Sequence, residues 1–260
     1  MSFVGGVGYS NIDLIYSGLE RLPEKGEEIF ARGFSMQFGG GIPATMINLS
    51  RLGVESRILT FAGDDLFSEF VKKTLEKYPV KTVNLYRGDK MPVVLSSTLL
   101  YGGDRSFISY TDGMDLNDAV MDEVYENLKG VSVVDMHVGF LDVYKRLKKD
   151  GCIQIFDTGW EDDLTLEKYR DYLETADYYI PNQKEAMKIT GTSSVEAAAE
   201  VLSEFFSDVT IKMDKEGCLL KNKDGIKIIS SVQNVRAIDA TGAGDAFMSG
   251  FIYGLYHHYP

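Results

Sequence analysis

The sequence predicts an α/β protein: a mostly parallel sheet covered by helices on both faces, with a small antiparallel β-sheet added to it. Two observations predict this. From residue 44 to residue 256, short apolar runs alternate with stretches of helical period across short connections. Repeated strand–helix units of that kind build a parallel sheet between helical layers. Two separate segments, 28–38 and 93–110, alternate polar and apolar residues instead, which suits a sheet with one buried and one wet face. No internal repeat or low-complexity linker interrupts the chain. Residues 1–260 therefore read as a single domain whose added sheet is drawn from about 14–38 and 91–112.

Phe3 to Val7 is an apolar run closed by Gly5, Gly6 and Gly8, a buried strand meeting a turn. Asn11 to Leu14 follows it and has the composition of an Asx turn. Ala44 to Leu52 has helical period, with Gly53 as its stop. A strand at 56–62 and a helix at 66–77 come next. Gly102, Gly103 and Asp104 divide 93–110 into a hairpin. Beyond it the pattern reads as helix 118–128, strand 131–136, helix 143–149 and strand 153–156. Helix 166–175, strand 178–180, helices 185–190 and 195–206 and strand 209–213 continue the alternation. Two strands pair across Asp224-Gly225 between 219 and 229, and 243–256 is the final helix.

The charge excludes some functions. The chain has 27 Lys and Arg against 39 Asp and Glu, a formal net charge of −12. A nucleic-acid binder needs a basic face to release phosphate counterions, and an anionic membrane attracts basic segments, so both partners are excluded. No apolar run reaches the roughly 18–20 residues that span a bilayer, and no charged and apolar leader precedes Phe3. The expectation is a cytoplasmic protein. Cys152 and Cys218 read as buried reduced thiols, and three histidines, two of them adjacent, cannot build an all-His metal site.

The densest chemical signal is Ile238-Asp239-Ala240-Thr241-Gly242-Ala243-Gly244-Asp245-Ala246-Phe247. Gly242, Ala243 and Gly244 have almost no side chains and open a helix, so their amides can approach an anion at the positive end of the helix dipole. Asp245 then falls in the first turn, where a carboxylate repels a phosphate unless it takes a proton from the group attacking it. Gly39-Gly40-Gly41 opens the first helix in the same way. Asn11 and Asp13 lie past the first strand, where ligands of parallel sheets bind, and could hold sugar hydroxyls. Asn182 and Glu185 also follow a strand. Their spacing suits a capping box, or a magnesium or phosphate site built through water.

Rival motifs fit less well. Gly6-Val7-Gly8-Tyr9-Ser10-Asn11 lacks the third glycine of a dinucleotide fingerprint and no helical pattern follows it. The chain has no P-loop and no nucleophile elbow. His137 reads as a core or pocket-wall residue.

In order along nearly the whole chain, these segments resemble the ribokinase-like (PfkB) carbohydrate kinases. The Asp239 to Phe247 run is close to that family's C-terminal signature, and Ser50-Arg51-Leu52-Gly53, Gly63 to Phe67 and Asn182 to Glu185 are similar to other family segments. The resemblance implies a ribokinase-like three-layer α/β/α core with a β-sheet lid, and an ATP-dependent phosphotransferase acting on a sugar hydroxyl. The implied acceptor is a ribose-type, fructose-type or fructosamine-type sugar. Asp245 would be the base and Gly242, Ala243 and Gly244 the anion hole. Asn182 and Glu185 would organise Mg2+ and the ATP phosphates, and Asp239 a monovalent cation such as K+. Lys212 and Gly217 would lie on the nucleotide side. Asn11, Asp13, Gly40 and the hairpin residue Arg105 would face the sugar. Lid sheets of this kind can pair two copies into a homodimer. The alternative on the same fold is a sugar- or nucleoside-binding protein with impaired catalysis.

The departures from the family pattern are specific. Ala44 or Thr45 stands where an asparagine is usual, and Asp214 where a glycine is usual. Thr158-Gly159-Trp160 follows Phe156-Asp157 in place of the common Asn and Arg. Only 15 residues follow Asp245, so the family's further C-terminal helices, which close the adenine pocket, are not expected.

Overall fold

A computed structural model describes residues 2–102, 104–233, 235 and 242–259, with the side chain of Asp104 left aside. Its centre is a six-stranded parallel sheet. The strands are β1 (Val4–Val7), β4 (Ser56–Thr60), β5 (Lys81–Asn84), β8 (Val133–Met136), β9 (Ile153–Phe156) and β10 (Tyr178–Tyr179). Their spatial order is β10-β9-β8-β1-β4-β5. The chain builds outward from β1 to β4 and β5, then returns to add β8, β9 and β10 on the other side. The reversal leaves a crevice beyond the carboxyl ends of β1 and β8, the usual ligand position in open α/β sheets.

Strand alternation sends successive apolar side chains to opposite faces. Val4, Ile58, Val133 and Ile155 meet helices α1 (Gly41–Arg51), α2 (Leu66–Leu75) and α8 (Ala243–Tyr256). Val7, Leu59, Val134 and Phe156 meet α3 (Asp118–Leu128), α4 (Leu141–Lys149), α5 (Leu166–Thr175), α6 (Gln183–Thr190) and α7 (Val195–Leu202). The result is a three-layer α/β/α core. A three-stranded antiparallel sheet, β11 (Val209–Lys212), β12 (Cys218–Asn222) and β13 (Gly225–Ile229), extends it past β10. Asn182 and Lys212 form a parallel bridge there.

The lid is a four-stranded sheet of order β3-β2-β6-β7, made of β2 (Asn11–Ser17), β3 (Gly33–Gly39), β6 (Val94–Tyr101) and β7 (Asp104–Tyr110). Its outer pairs are antiparallel, and its central β2–β6 pairing is parallel because the chain crosses the core between them. Residues opposite each other share a face. The register therefore puts Asn11, Asp13, Ser96 and Arg105 on one face and Phe34, Met36, Ile108 and Tyr110 on the other.

Several elements depart from expectation. Asn11 to Leu14 is strand, not turn, because pairing with both β3 and β6 overrides the local Asx preference. The expected alternation at 28–38 forms a strand only from Gly33, and 28–32 is a largely exposed loop. β5 has no apolar run to announce it, since it is a short edge strand carrying Lys81, Thr82 and Asn84. Helix α1 starts at Gly41, three residues early, because Pro43 in a first turn removes no intrahelical bond.

The turn before β12 depends on one glycine. Gly217 has φ 102°, and a Cβ there would lie 1.9 Å from Ile229 O. Gly217→Ala is expected to destabilise the protein by at least the roughly 1–3 kcal/mol of a strained backbone position. A thermal melt should show this as a lower Tm, and an unchanged Tm would contradict the packing of β11 to β13.

Candidate active site

Two helix starts converge at the sheet crevice. Helix α8 begins at Gly242, whose left-handed conformation (φ 78°) turns the chain into the helix without a side-chain cap. The N–H of Ala246 is the first to close an intrahelical bond, to Gly242 O at 2.9 Å. The amides of Ala243, Gly244 and Asp245 thus have no partner within the helix, as in any first turn. Helix α1 begins next to it. Its cap, Gly40, has φ 103°, and a Cβ there would sit 2.5 Å from Tyr9 O, so only glycine fits. The helices are tied together by Ser249, whose hydroxyl donates to Asp245 O at 2.5 Å and reaches Thr45 O at 3.3 Å.

Asp245 lies between these starts. Its carboxylate is 3.8 Å from the Cβ position of Gly41 and 3.9 Å from that of Gly242. A cavity of about 240 Å³ opens beside it, lined among others by Thr45, Asp135, His137, Asp157 and Gly244. Burial pushes the Asp245 carboxyl up to about 6; the Asp157 carboxylate adds to the rise and the Lys212 ammonium opposes it. Asp157 accepts from Lys212 Nζ at 2.6 Å, and Lys212 Nζ lies 3.8 Å from the Cβ position of Gly244. One ammonium is therefore held beside the helix start, already paired with a carboxylate.

No motif in the sequence marks Asp135. It is only 3% exposed. Burial holds its carboxyl well above the usual range, with Asp157 and Asp245 adding to that and Lys212 and a hydrogen bond with Thr45 opposing it. His137 lines the same cavity, which settles it as a wall residue. Burial lowers its basicity.

The other sequence candidates fall in three places. Asn11 and Asp13 lie on the lid, where Asn11 Nδ2 donates to Asp13 Oδ1 at 3.0 Å. Burial raises the Asp13 carboxyl, while Asn11 and the charge of Arg105 act against the rise. Asp13 Oδ2 is 3.0 Å from the Cβ position of Gly39, two residues from Gly41 beside Asp245. The triple glycine thus joins Asp13 to Asp245. Arg105 is exposed, with its guanidinium 5.5 Å from the Phe107 ring centre. On the sheet's other flank Asn182 and Glu185 do form a capping box. Asn182 Oδ1 accepts from the Lys184 and Glu185 amides at 2.9 and 3.0 Å, and Glu185 Oε2 accepts from the Asn182 amide at 2.8 Å. Glu185 is buried, and burial together with Asp157 raises its carboxyl. Gly217 sits in the β11–β12 turn, and Asp214, at φ 49°, holds the turn's other left-handed position while accepting from Gln183 Nε2 at 3.0 Å. Asp239 lies outside the described residues.

This arrangement can bind an anion at two amide-rich helix starts and accept a proton a few ångströms away. The chain matches the model of the pfkB family carbohydrate kinases over residues 1–260. It belongs to that family. It is accordingly a sugar kinase, a phosphotransferase acting on sugar hydroxyls. A deoxyribokinase from Salmonella typhi is 25% identical over 95% of this chain and 83% of its own length. Ribokinase from Thermotoga maritima superposes with TM-score 0.83 at 23% identity, covering 99% of this chain and 86% of that one. The Arabidopsis thaliana ribokinase solved with ribose and ATP gives TM-score 0.79 at 22% identity, covering 99% and 87%. These likenesses bear out the ribokinase-like fold. Family members of this type use ATP and Mg2+. No helix among the described residues is long and apolar enough to cross a membrane.

The raised carboxyl of Asp245 has a consequence for stability. Its folded value lies above its unfolded one, so it favours the fold at low pH and loses that contribution as pH rises through about 6. Asp245→Asn removes the ionisation. The variant is expected to melt at a higher temperature than the parent at pH 7.5, with the gap closing as pH falls toward 4. A gap that does not depend on pH would contradict the burial of this carboxylate among like charges.

Proposed function

We propose that the protein transfers the γ-phosphoryl group of ATP to a hydroxyl of a monosaccharide, of the ribose, fructose or fructosamine type, with Asp245 as the base. The carrying observation is Asp245 itself: a half-buried carboxylate, raised to about 6, beside helix amides that have no intrahelical partner. The acceptor hydroxyl gives its proton to Asp245 as its oxygen bonds to phosphorus and the bond to the ADP oxygen breaks. The amides of Ala243 and Gly244 meet the charge on the transferring group, with Gly242 turning the chain so that they face it. Lys212, beside Gly244, adds an ammonium on the nucleotide side. Asn11, Asp13 and Arg105 hold the acceptor from the lid and Gly40 from the start of α1, and the lid excludes water as it shuts.

The donor set on the nucleotide side suits Mg2+ held through water. The capping box uses Glu185 Oε2 and leaves Oε1 of a buried carboxylate over, with Asn182 beside it. Bound Mg2+ supplies neutralisation of phosphate charge. A monovalent cation at Asp239 belongs to the same reading. So does a cytoplasmic setting, where ATP is the donor.

The lid also supports a homodimer. Phe34, Ile108 and Tyr110 share one of its faces and are 60%, 69% and 59% exposed. Exposed apolar patches of this kind mark interaction surfaces. Light scattering is expected to give a dimer mass that Phe34→Glu with Ile108→Glu reduces to a monomer. A monomeric parent would overturn the dimer.

For the reaction, a panel of pentoses, hexoses and fructosamines with ADP release as readout should find at least one acceptor. Asp245→Asn should lower kcat by about 10²–10⁴-fold without unfolding the protein. In the parent, kcat/KM should fall on the acid side through about 6, as Asp245 takes up its proton under the opposed influence of Asp157 and Lys212. Full activity in Asp245→Asn would overturn the assignment.

A further inference from the structure

We infer that Ser96 is a positioning residue for the acceptor: its hydroxyl is the central link of a one-way hydrogen-bond relay across the lid that fixes the Asn11 amide and, through it, one oxygen of Asp13, so that the other oxygen is aimed at the acceptor. The inference rests on the reading of Asn11 and Asp13 as acceptor-holding residues.

The relay joins three strands. Asn11 and Asp13 are two apart on β2 and so share a face. The register sets Ser96 of β6 opposite Asp13, and Ser109 of β7 opposite Ser96. Ser96 Oγ donates to Asn11 Oδ1 at 3.3 Å and lies 2.9 Å from Ser109 Oγ. Asn11 Nδ2 in turn donates to Asp13 Oδ1 at 3.0 Å.

Proton inventory gives the relay its direction. A hydroxyl has one proton to donate. Ser96 gives its proton to Asn11, so in the contact with Ser109 it accepts and Ser109 donates. Every donor then points toward Asp13: Ser109 to Ser96, Ser96 to Asn11, Asn11 to Asp13. A reversed Asn11 amide would set Oδ1 against the Asp13 carboxylate, acceptor against acceptor. Hydrogen bonds aligned in one direction polarise and strengthen one another.

The relay engages Asp13 Oδ1. Oδ2 is the oxygen turned to Gly39, 3.0 Å from its Cβ position, at the end of the lid that meets Gly41 and Asp245. Burial raises the Asp13 carboxyl, and the bond from Asn11 opposes that rise ahead of the Arg105 charge. An Asn11 amide that loses Ser96 holds Asp13 less firmly, so the carboxyl both turns and takes up a proton more readily. The same strand supplies a control. Thr98, two residues on from Ser96, shares its face and is as deeply buried, yet its Oγ1 has no hydrogen-bond partner among the described residues.

The test compares Ser96→Val with Ser96→Thr, which add the same bulk and differ in the hydroxyl, using Mg-ATP and an acceptor from the turnover panel. Ser96→Val is expected to raise the acceptor KM about threefold to tenfold over Ser96→Thr, with kcat and the ATP KM in place. Thr98→Val should leave the acceptor KM unchanged. In an Asn11→Ala background the exchange of Val for Thr at 96 should add nothing, because Ser96 acts through Asn11. Equal acceptor KM values for Ser96→Val and Ser96→Thr, or full additivity with Asn11→Ala, overturn the inference. An Asp13→Asn variant with the parent's acceptor KM overturns the acceptor reading itself, and the role of the relay with it. Carboxyl NMR of the unliganded protein, with Asp13→Asn to assign the signal, reads the relay without turnover. Asp13 should titrate at higher pH in Ser96→Val than in Ser96→Thr, and equal titrations overturn the relay even where no acceptor is found.

Discussion

Carboxylates repel one another, and burial strengthens the repulsion. This protein nevertheless brings Asp135, Asp157 and Asp245 to one small cavity and, among the described residues, sets the Lys212 ammonium beside them. The rest of the site follows from that crowding. Asp157 raises three acidic groups around it, Asp135, Asp245 and Glu185. Its pairing with Lys212 offsets part of the effect and anchors the last residue of β11 beside the start of α8. A base tuned close to neutrality and a cation beside an anion-binding helix start thus have one origin.

The fold sustains this arrangement by drawing each group from a different rigid element. Asp135 comes from a buried strand, Asp157 from the end of the next one, Asp245 from the first turn of a helix and Lys212 from the end of an antiparallel strand. The sheet reversal between β1 and β8 opens the space they share. Two helix starts supply positive potential where the side chains supply negative charge. The net charge of −12 therefore does not bar a phosphate substrate, because the local backbone field at α8 has the opposite sign. The lid adds its own carboxylate, Asp13, through the same triple glycine that ends beside Asp245.

Much of this was legible in the sequence wherever function lies in a contiguous segment. Helix α8 runs over the residues expected, 243–256, because glycine start and apolar period agree there. Asn182 and Glu185 showed their capping spacing directly. Asp135 did not show, since one aspartate in an apolar run looks like any edge of a strand until β9 and α8 are packed against it. In the sequence Asp157 stands out only as the flank of a departure from the family pattern. Its importance comes from Lys212, 55 residues away. Strand β2 was hidden for a related reason: Asn11 and Asp13 favour turns locally, and only pairing on both sides makes them extended.

The central claim is that one carboxylate, Asp245, receives the proton of the hydroxyl that attacks a phosphoryl group held at the start of α8. A crystal structure with a non-hydrolysable ATP analogue, Mg2+ and an acceptor found in the turnover panel tests it most directly. The account predicts the acceptor hydroxyl within about 2.6–3.2 Å of an Asp245 oxygen and the terminal phosphate against the Ala243 and Gly244 amides. A bound acceptor whose hydroxyls all lie away from Asp245, or a terminal phosphate seated elsewhere, would contradict it.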